Sequence, residues 1–203
     1  MKKYAVLHEP GDIVTLAGTR FVVLDVERRG SLPDSLFLLA LESVGASEFG
    51  SSNNYAESDL KKAVDKWLED MGKRGLDNAK LIPREIDLTT LDGSGCYGKL
   101  SVKAAPLTLD EAREYADIIP NAERWCWLAT GWSGPSKSDG DLALYVVSNG
   151  DWYYGFCSYS YGIRPALKAP SILFEDSEAG LDLSKIPTDD LLQEIHRRLA
   201  EKA

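Results

Sequence analysis

The spacing of apolar residues changes several times along the chain, and each change marks an element. Ile13–Leu16 and residues 21–26 are short runs rich in Val, Ile and Leu on either side of Ala17-Gly18. This is a β-hairpin pattern in which Gly18 supplies the special turn geometry. Residues 36–41 are apolar without helical polar spacing, which predicts a buried strand. From Ser58 the period lengthens. Leu60, Ala63, Val64, Trp67, Leu68 and Met71 recur at three- and four-residue steps, predicting one apolar face of a helix over 58–72. Ser58 is its N-cap and Gly72 its stop. Trp67 is then a core residue. A looser helical stretch over 79–86 is interrupted by Pro83, and 87–95 reads as a solvated loop without the spacing of a calcium-binding EF-hand.

Thr108-Leu-Asp-Glu111 is a capping box. It opens a short helix that runs to about Ile118 and ends before Pro120. Strands follow over 125–130, 142–148, 152–157 and 162–168. Residues 131–140 hold too much Gly, Pro and Ser to be an element. Asn149-Gly150 predicts a two-residue hairpin turn. The domain so defined covers 1–170. Residues 171–187 carry Glu175, Asp176, Glu178 and Asp182 without core periodicity and read as an acidic linker. Thr188 caps a final amphipathic helix over 188–203, with acidic residues at its start, basic residues near its end and Leu191, Leu192, Ile195 and Leu199 as its stripe. A helix this short needs support. It docks on the domain, on a second copy or on a partner's helix through residues 188–201.

Composition narrows the function. A net charge of −9 over 203 residues leaves no basic stripe for nucleic acid and no attraction to an anionic membrane surface. No segment reaches the length of a membrane span. The start of the chain lacks the apolar run of a secretory signal, so a cytoplasmic location is expected. Cys96, Cys126 and Cys157 fit no zinc or redox spacing and read as buried free thiols, although a Cys126–Cys157 pair on neighbouring strands is an open alternative. His8 and His196 have no setting for a triad or a metal. No cofactor is implied.

The aromatic residues concentrate late in the chain. Four of the five Trp residues lie between Arg124 and Leu167, with Tyr145, Tyr153, Tyr154, Tyr159 and Tyr161. Tyr mixed with Ser, Gly, Asn and Asp is the composition of adaptable recognition surfaces. The same residues also suit the core of a small β domain, and burial habits place Trp125, Trp127 and Phe156 there. The ligand-contacting candidates are Asn149, Asp151, Trp152, Tyr154, Tyr159 and Tyr161, presented as one face by strand alternation. Trp132, Ser133, Ser136 and Asp139 are expected to form its rim. A protein surface, a glycan or a small metabolite would suit such a face.

Several segments, in order, resemble a family of uncharacterised bacterial and phage proteins with a C-type-lectin-like fold. That fold is related to the fold of formylglycine-generating enzymes and of retroelement variable proteins. The segments are Asn53-Asn-Tyr-Ala-Glu-Ser58, Ile86-Asp-Leu-Thr-Thr-Leu-Asp-Gly93, Leu107-Thr-Leu-Asp110, Trp125-Cys-Trp-Leu128, Val146-Val-Ser-Asn-Gly150 and Tyr161-Gly-Ile-Arg-Pro-Ala-Leu167. The resemblance covers about residues 10–168 and implies an α+β domain: a twisted, mainly antiparallel sheet, two flanking helices and long loops. It places variable binding positions just before the closing Gly-x-Arg motif, here 151–161. Arg164 is then a structural residue that bonds loop carbonyls. Three readings follow. The chain is a non-enzymatic binding module; or a virion or assembly component that works through its final helix; or a copper-dependent cysteine-oxidising enzyme, for which Cys126 and Cys157 do not stand in the family's motif. The lectin calcium motif is not matched by Asn149-Gly-Asp151.

Overall fold

The hairpin around Gly18 forms as a two-residue turn. In a computed structural model, which describes residues 8–30, 32–135, 138–174 and 192, β1 (Ile13–Leu16) pairs antiparallel with β2 (Thr19–Arg29), with Leu16 opposite Thr19. Ala17 and Gly18 both take positive φ, +46° and +75°. That left-handed pair matches the twist of the flanking strands, and a glycine adopts it without a side-chain clash.

β2 continues into β3 (Leu32–Ala40). β4 (Ala46–Glu48), which lay unseen in a polar stretch, precedes α1 (Asp59–Lys73). Ser58 caps α1, its hydroxyl accepting from the Lys61 N–H at 2.9 Å. Leu60, Val64 and Met71 are buried, and Trp67 packs partly buried on the same core, its ring 6.4 Å from Phe21. The helix passes through Gly72. It stops at Gly75, whose φ of +104° reverses the chain.

The expected helix over 79–86 is not there. Asn78–Lys80 is a 3-10 turn, and Arg84–Asp87 is β5, paired with β6 (Lys99–Val102) in a two-stranded sheet. Pro83 breaks helical bonding, and the following residues alternate buried and exposed as a strand requires. β7 (Ala104–Ala105) follows, then α2 (Leu109–Glu114). The Thr108–Glu111 capping box is present in both directions. α2 ends well before Ile118. Beyond Glu114 the backbone tightens into three-residue turns, such as Ile118 N–H to Tyr115 C=O, ahead of Pro120.

The remaining strands are β8 (Cys126–Gly131), β9 (Leu142–Val146), β10 (Trp152–Phe156), β11 (Ser160–Gly162) and β12 (Ala166–Pro170). One sheet has the order β1-β2-β3-β12-β7 and the other β10-β9-β8-β11-β4. All pairings are antiparallel except β8 with β11. Among the described residues the chain is thus a mostly antiparallel α+β structure with two α-helices.

Both sheets bury both faces. Phe21 and Val23 join α1, Trp127 and Tyr145 in one core, while Val22 and Leu24 join Leu107, Leu109, Leu128 and Leu144 in another. Two-sided burial explains why these strands read as continuous apolar runs. The expected strand over 162–168 is divided between the sheets, with residues 163–165 crossing from one to the other. Arg164 sits at the crossing. Its Nε donates to the Ala40 carbonyl at 2.9 Å and its Nη1 to that of Pro120 at 3.1 Å.

The domain extends past residue 170. Ser171–Phe174 is a 3-10 turn, and Phe174 is buried edge-on against His8. The acidic linker from residue 175 and the final helix lie outside the described residues, apart from the single helical position Leu192.

Candidate functional site

β10 is the edge of its sheet and carries Trp-Tyr-Tyr-Gly-Phe without a charge. Edge strands of soluble domains are commonly guarded by Lys, Pro or a bulge, because their outer backbone groups are free to pair. Here Trp152, Tyr153, Tyr154, Phe156 and, in the next turn, Tyr159 are each 43–53% exposed. The expected single aromatic face is instead two. Strand alternation sends Trp152 and Tyr154 to one side of the sheet and Tyr153 to the other.

On the first side the Arg113 guanidinium of α2 lies 4.7 Å from the Trp152 ring centre, within cation–π range, and Trp132 packs 4.1 Å from Tyr154. On the second side Trp127, Tyr145 and Tyr153 form a row across β8, β9 and β10. Tyr161 lies 4.6 Å from Trp127 and 4.5 Å from Tyr145, and Trp125 stacks on Tyr145 at 5.4 Å. Phe156 meets Tyr159 around the turn at 5.6 Å. Gly155 lets the rings of this cluster approach the backbone closely. A Cβ there would stand 3.2 Å from both Tyr145 Cε1 and Tyr161 Oη.

The row runs from core to solvent. Trp127 is 1% exposed, Tyr145 is buried and Tyr153 is open. Trp125 and Phe156, expected in the core, are 46% and 48% exposed. Trp125 lies just outside β8 and covers the aromatic cluster from above, and Phe156 points off an edge strand.

The expected rim is also redrawn. Ser133 is buried, with its carbonyl accepting from Asn53 Nδ2 at 2.9 Å, so it belongs to the packing of the loop and cannot touch a ligand. Asp139 is partly exposed beside Ser138, and Ser136 lies outside the described residues. Asn149 and Asp151 bond each other: Asn149 Nδ2 donates to Asp151 Oδ2 at 2.8 Å, and the Asp151 N–H to Asn149 Oδ1 at 3.1 Å. They shape a three-residue loop, 148–150, rather than a two-residue turn, with Gly150 at φ +93°. The exposed residues that sequence reasoning passed over are Tyr153, Phe156 and Arg113. No local signal marks the two aromatic residues, because an uncharged run such as 152–156 fits a strand buried on both faces equally well; the position of β10 at the sheet edge exposes them.

Cys126 and Cys157 do not face each other, because β9 lies between β8 and β10, and all three cysteines are free. Burial pushes the thiol of Cys126 up to about 11 and that of Cys157 up to about 12. Both are held protonated at neutral pH, the wrong state for a nucleophile. Cys96 is exposed. Burial likewise raises the Tyr161 phenol to about 12, with the neighbouring Tyr145 adding to the shift.

These raised values set an alkaline limit. The folded state holds protons that the unfolded chain releases from about pH 9 upward, so stability is complete below that point and falls as pH rises toward about 12. Thermal melts across this range are expected to show a steady fall in Tm. A constant Tm up to about pH 11 would show that these groups are not buried as described.

Among the described residues no helix is long and apolar enough to cross a membrane. In comparisons with known proteins, no family model, no curated protein and no solved structure matches this chain.

Proposed function

We propose that the chain is a non-enzymatic binding module whose contact surface is the free edge of the second sheet, β10 with the turn to Tyr159. The observation that carries this reading is the set of five large aromatic side chains, 43–53% exposed, on an uncharged edge strand. Such a patch is costly to leave in water and marks an interaction site. Aromatic anchors dominate the energy of protein interfaces. The unpaired backbone of β10 offers a second term, since an extended segment of a partner protein can add to the sheet as a further strand. Tyr153 on one face of the strand and Tyr154 with Phe156 on the other would then hold alternate side chains of that segment.

The fold is proposed to be C-type-lectin-like. The order of the elements, two helices against antiparallel sheets, and the closing segment with Arg164 between Ala40 and Pro120 support this.

The test is a peptide selected from a random library on the immobilised protein. Its binding is expected to fall at least tenfold in Tyr153→Ser/Tyr159→Ser, with an unchanged melting temperature. The amides of 152–156 should gain protection from hydrogen exchange when it binds. Selected peptides that bind the double variant as well as the parent protein would place the working surface elsewhere.

A further inference from the structure

The register of β10 on its neighbour decides which of its backbone groups are free. The Val147 N–H donates to the Asp151 carbonyl at 2.8 Å, and the Cys157 N–H to the Asp141 carbonyl at 2.7 Å. Bonded pairs recur at every second residue of an antiparallel ladder, so Tyr153 with Tyr145 and Gly155 with Ala143 are the bonded pairs between them. The N–H and C=O groups of Trp152, Tyr154 and Phe156 therefore point away from β9, off the edge of the sheet. The Phe156 carbonyl accepts from the Tyr159 N–H at 2.9 Å. Among the described residues the other outward groups have no partner.

This row of groups is complementary to itself. A two-fold axis through Tyr154 sets two β10 strands antiparallel, with Trp152 opposite Phe156, Tyr153 opposite Gly155 and Tyr154 opposite Tyr154. All the outward residues then fall at bonded positions. The two Tyr154 residues exchange N–H and C=O, and each Phe156 N–H meets a Trp152 carbonyl. An axis through any other residue of the strand sets at least one outward residue against the turns at 148–150 or 157–159. On one face Trp152 meets Phe156 and Tyr154 meets its counterpart, and cross-strand aromatic pairs of this kind stabilise sheets. On the other face the Tyr153 ring of one copy reaches Gly155 of the other, which has no side chain to obstruct it and is flanked by the rings of Tyr145 and Tyr161. Two chains of charge −9 repel, yet 152–156 is uncharged, and Asp151 stands opposite Cys157 rather than a carboxylate. The aromatic side chains, 43–53% exposed, hide about 1,000 Å² in total when two copies close, the lower limit for a specific interface.

We propose that the segment added to this edge is β10 of a second copy of the chain, paired about a two-fold axis at Tyr154 into one continuous sheet. The proposal rests on the reading of β10 as the contact surface and names its partner. A symmetric contact of this kind consumes both edges and closes at the dimer. Its small area makes the dimer weak and reversible.

Sedimentation equilibrium of the full chain from about 1 µM to about 1 mM, a range that brackets weak dimers, tests this. The mass is expected to rise from monomer to dimer and stop there. Hydrogen exchange should slow at the amides of Tyr154 and Phe156 as the protein is concentrated. The amides of Tyr153 and Gly155, already bonded to β9, should not change. Tyr154→Pro removes an outward N–H and no bond to β9, and edge strands accept proline at such positions. It should weaken dimerisation at least tenfold. Tyr154→Lys sets two ammonium groups face to face at the axis; it should do the same, and it decides if the proline variant does not fold. A chain that stays monomeric throughout, a dimer undiminished in the folded variants, or a dimer without the alternating protection would overturn the proposal. A monomer that still binds library peptides along β10 overturns self-pairing alone and leaves the edge as the contact surface. A monomer whose peptides also bind Tyr153→Ser/Tyr159→Ser undiminished overturns both.

Discussion

Alanine at Trp127 is expected to destabilise the domain by about 3–5 kcal/mol, the usual range for removing a buried tryptophan. The side chain is 1% exposed and lies where the sheet meets the core. It touches Phe49 at 5.5 Å, Tyr161 at 4.6 Å and Tyr145 at 6.0 Å. Its Nε1–H donates to the Ser47 carbonyl at 3.0 Å, which ties β8 to β4 across the sheet. Alanine would leave a cavity walled by aromatic rings, which are too large to collapse into it, and would free the Ser47 carbonyl. Phenylalanine would keep most of the volume and lose chiefly the hydrogen bond, about 1–2 kcal/mol. Denaturant melts of the two variants distinguish these contributions. The alanine variant should also melt roughly 10 °C lower. A loss below about 1.5 kcal/mol would mean that the aromatic row does not anchor the sheet.

The second large effect is expected at Glu111. Alanine there should cost about 3–5 kcal/mol, because it strips the partner from a buried cation. Arg84 projects from β5 with its side chain almost fully covered, and its Nη1 is paired with Glu111 Oε1. Its Nη2 donates to the carbonyls of Ala105 at 3.1 Å and Pro106 at 3.2 Å, and the guanidinium lies 5.2 Å from the centre of the Phe37 ring. Glu111 has a second task. Its Oε2 accepts from the Thr108 N–H at 2.8 Å, closing the capping box of α2. One carboxylate therefore fastens the β5–β6 hairpin and starts the helix.

Removing both charges should be far milder than removing one, since no buried charge is then left alone. Arg84→Met in the Glu111→Ala background should recover a large part of the loss. Denaturant midpoints of the two single variants and the double variant give the coupling directly. If the double variant is as unstable as the sum of the singles, the pair is not acting as a buried unit.

Local chemistry made much of the fold legible. The Gly18 turn, the Ser58 cap, the period of α1 and the Thr108–Glu111 box each depend on residues within a few positions of one another, and each stands where the residues indicate. The misplacements arose where a local signal competed with a distant one. Residues 79–86 have helical spacing, but Pro83 and the pairing of Arg84–Asp87 with Lys99–Val102 make a strand. The β4, β6 and β7 strands are short and carry no periodicity of their own, so only their partners define them.

The candidate site divides in the same way. That aromatic residues gather between Arg124 and Leu167 was evident from the chain alone. Which of them face water was not, because a Trp or Tyr serves a core and a surface equally well. Exposure depends on strand order: β10 at the edge leaves Tyr153, Tyr154 and Phe156 open, while β8 in the middle buries Trp127. Likewise, Arg164 announces itself as a special residue in the closing motif, yet its bonds to the Ala40 and Pro120 carbonyls exist only because segments 40, 120 and 164 converge. The sequence by itself determined turns, caps, helix faces and an aromatic-rich segment, all interactions between near neighbours. The tertiary structure alone decided sheet order, the Arg84–Glu111 pair and the exposed edge, because each depends on contacts between residues far apart in the chain.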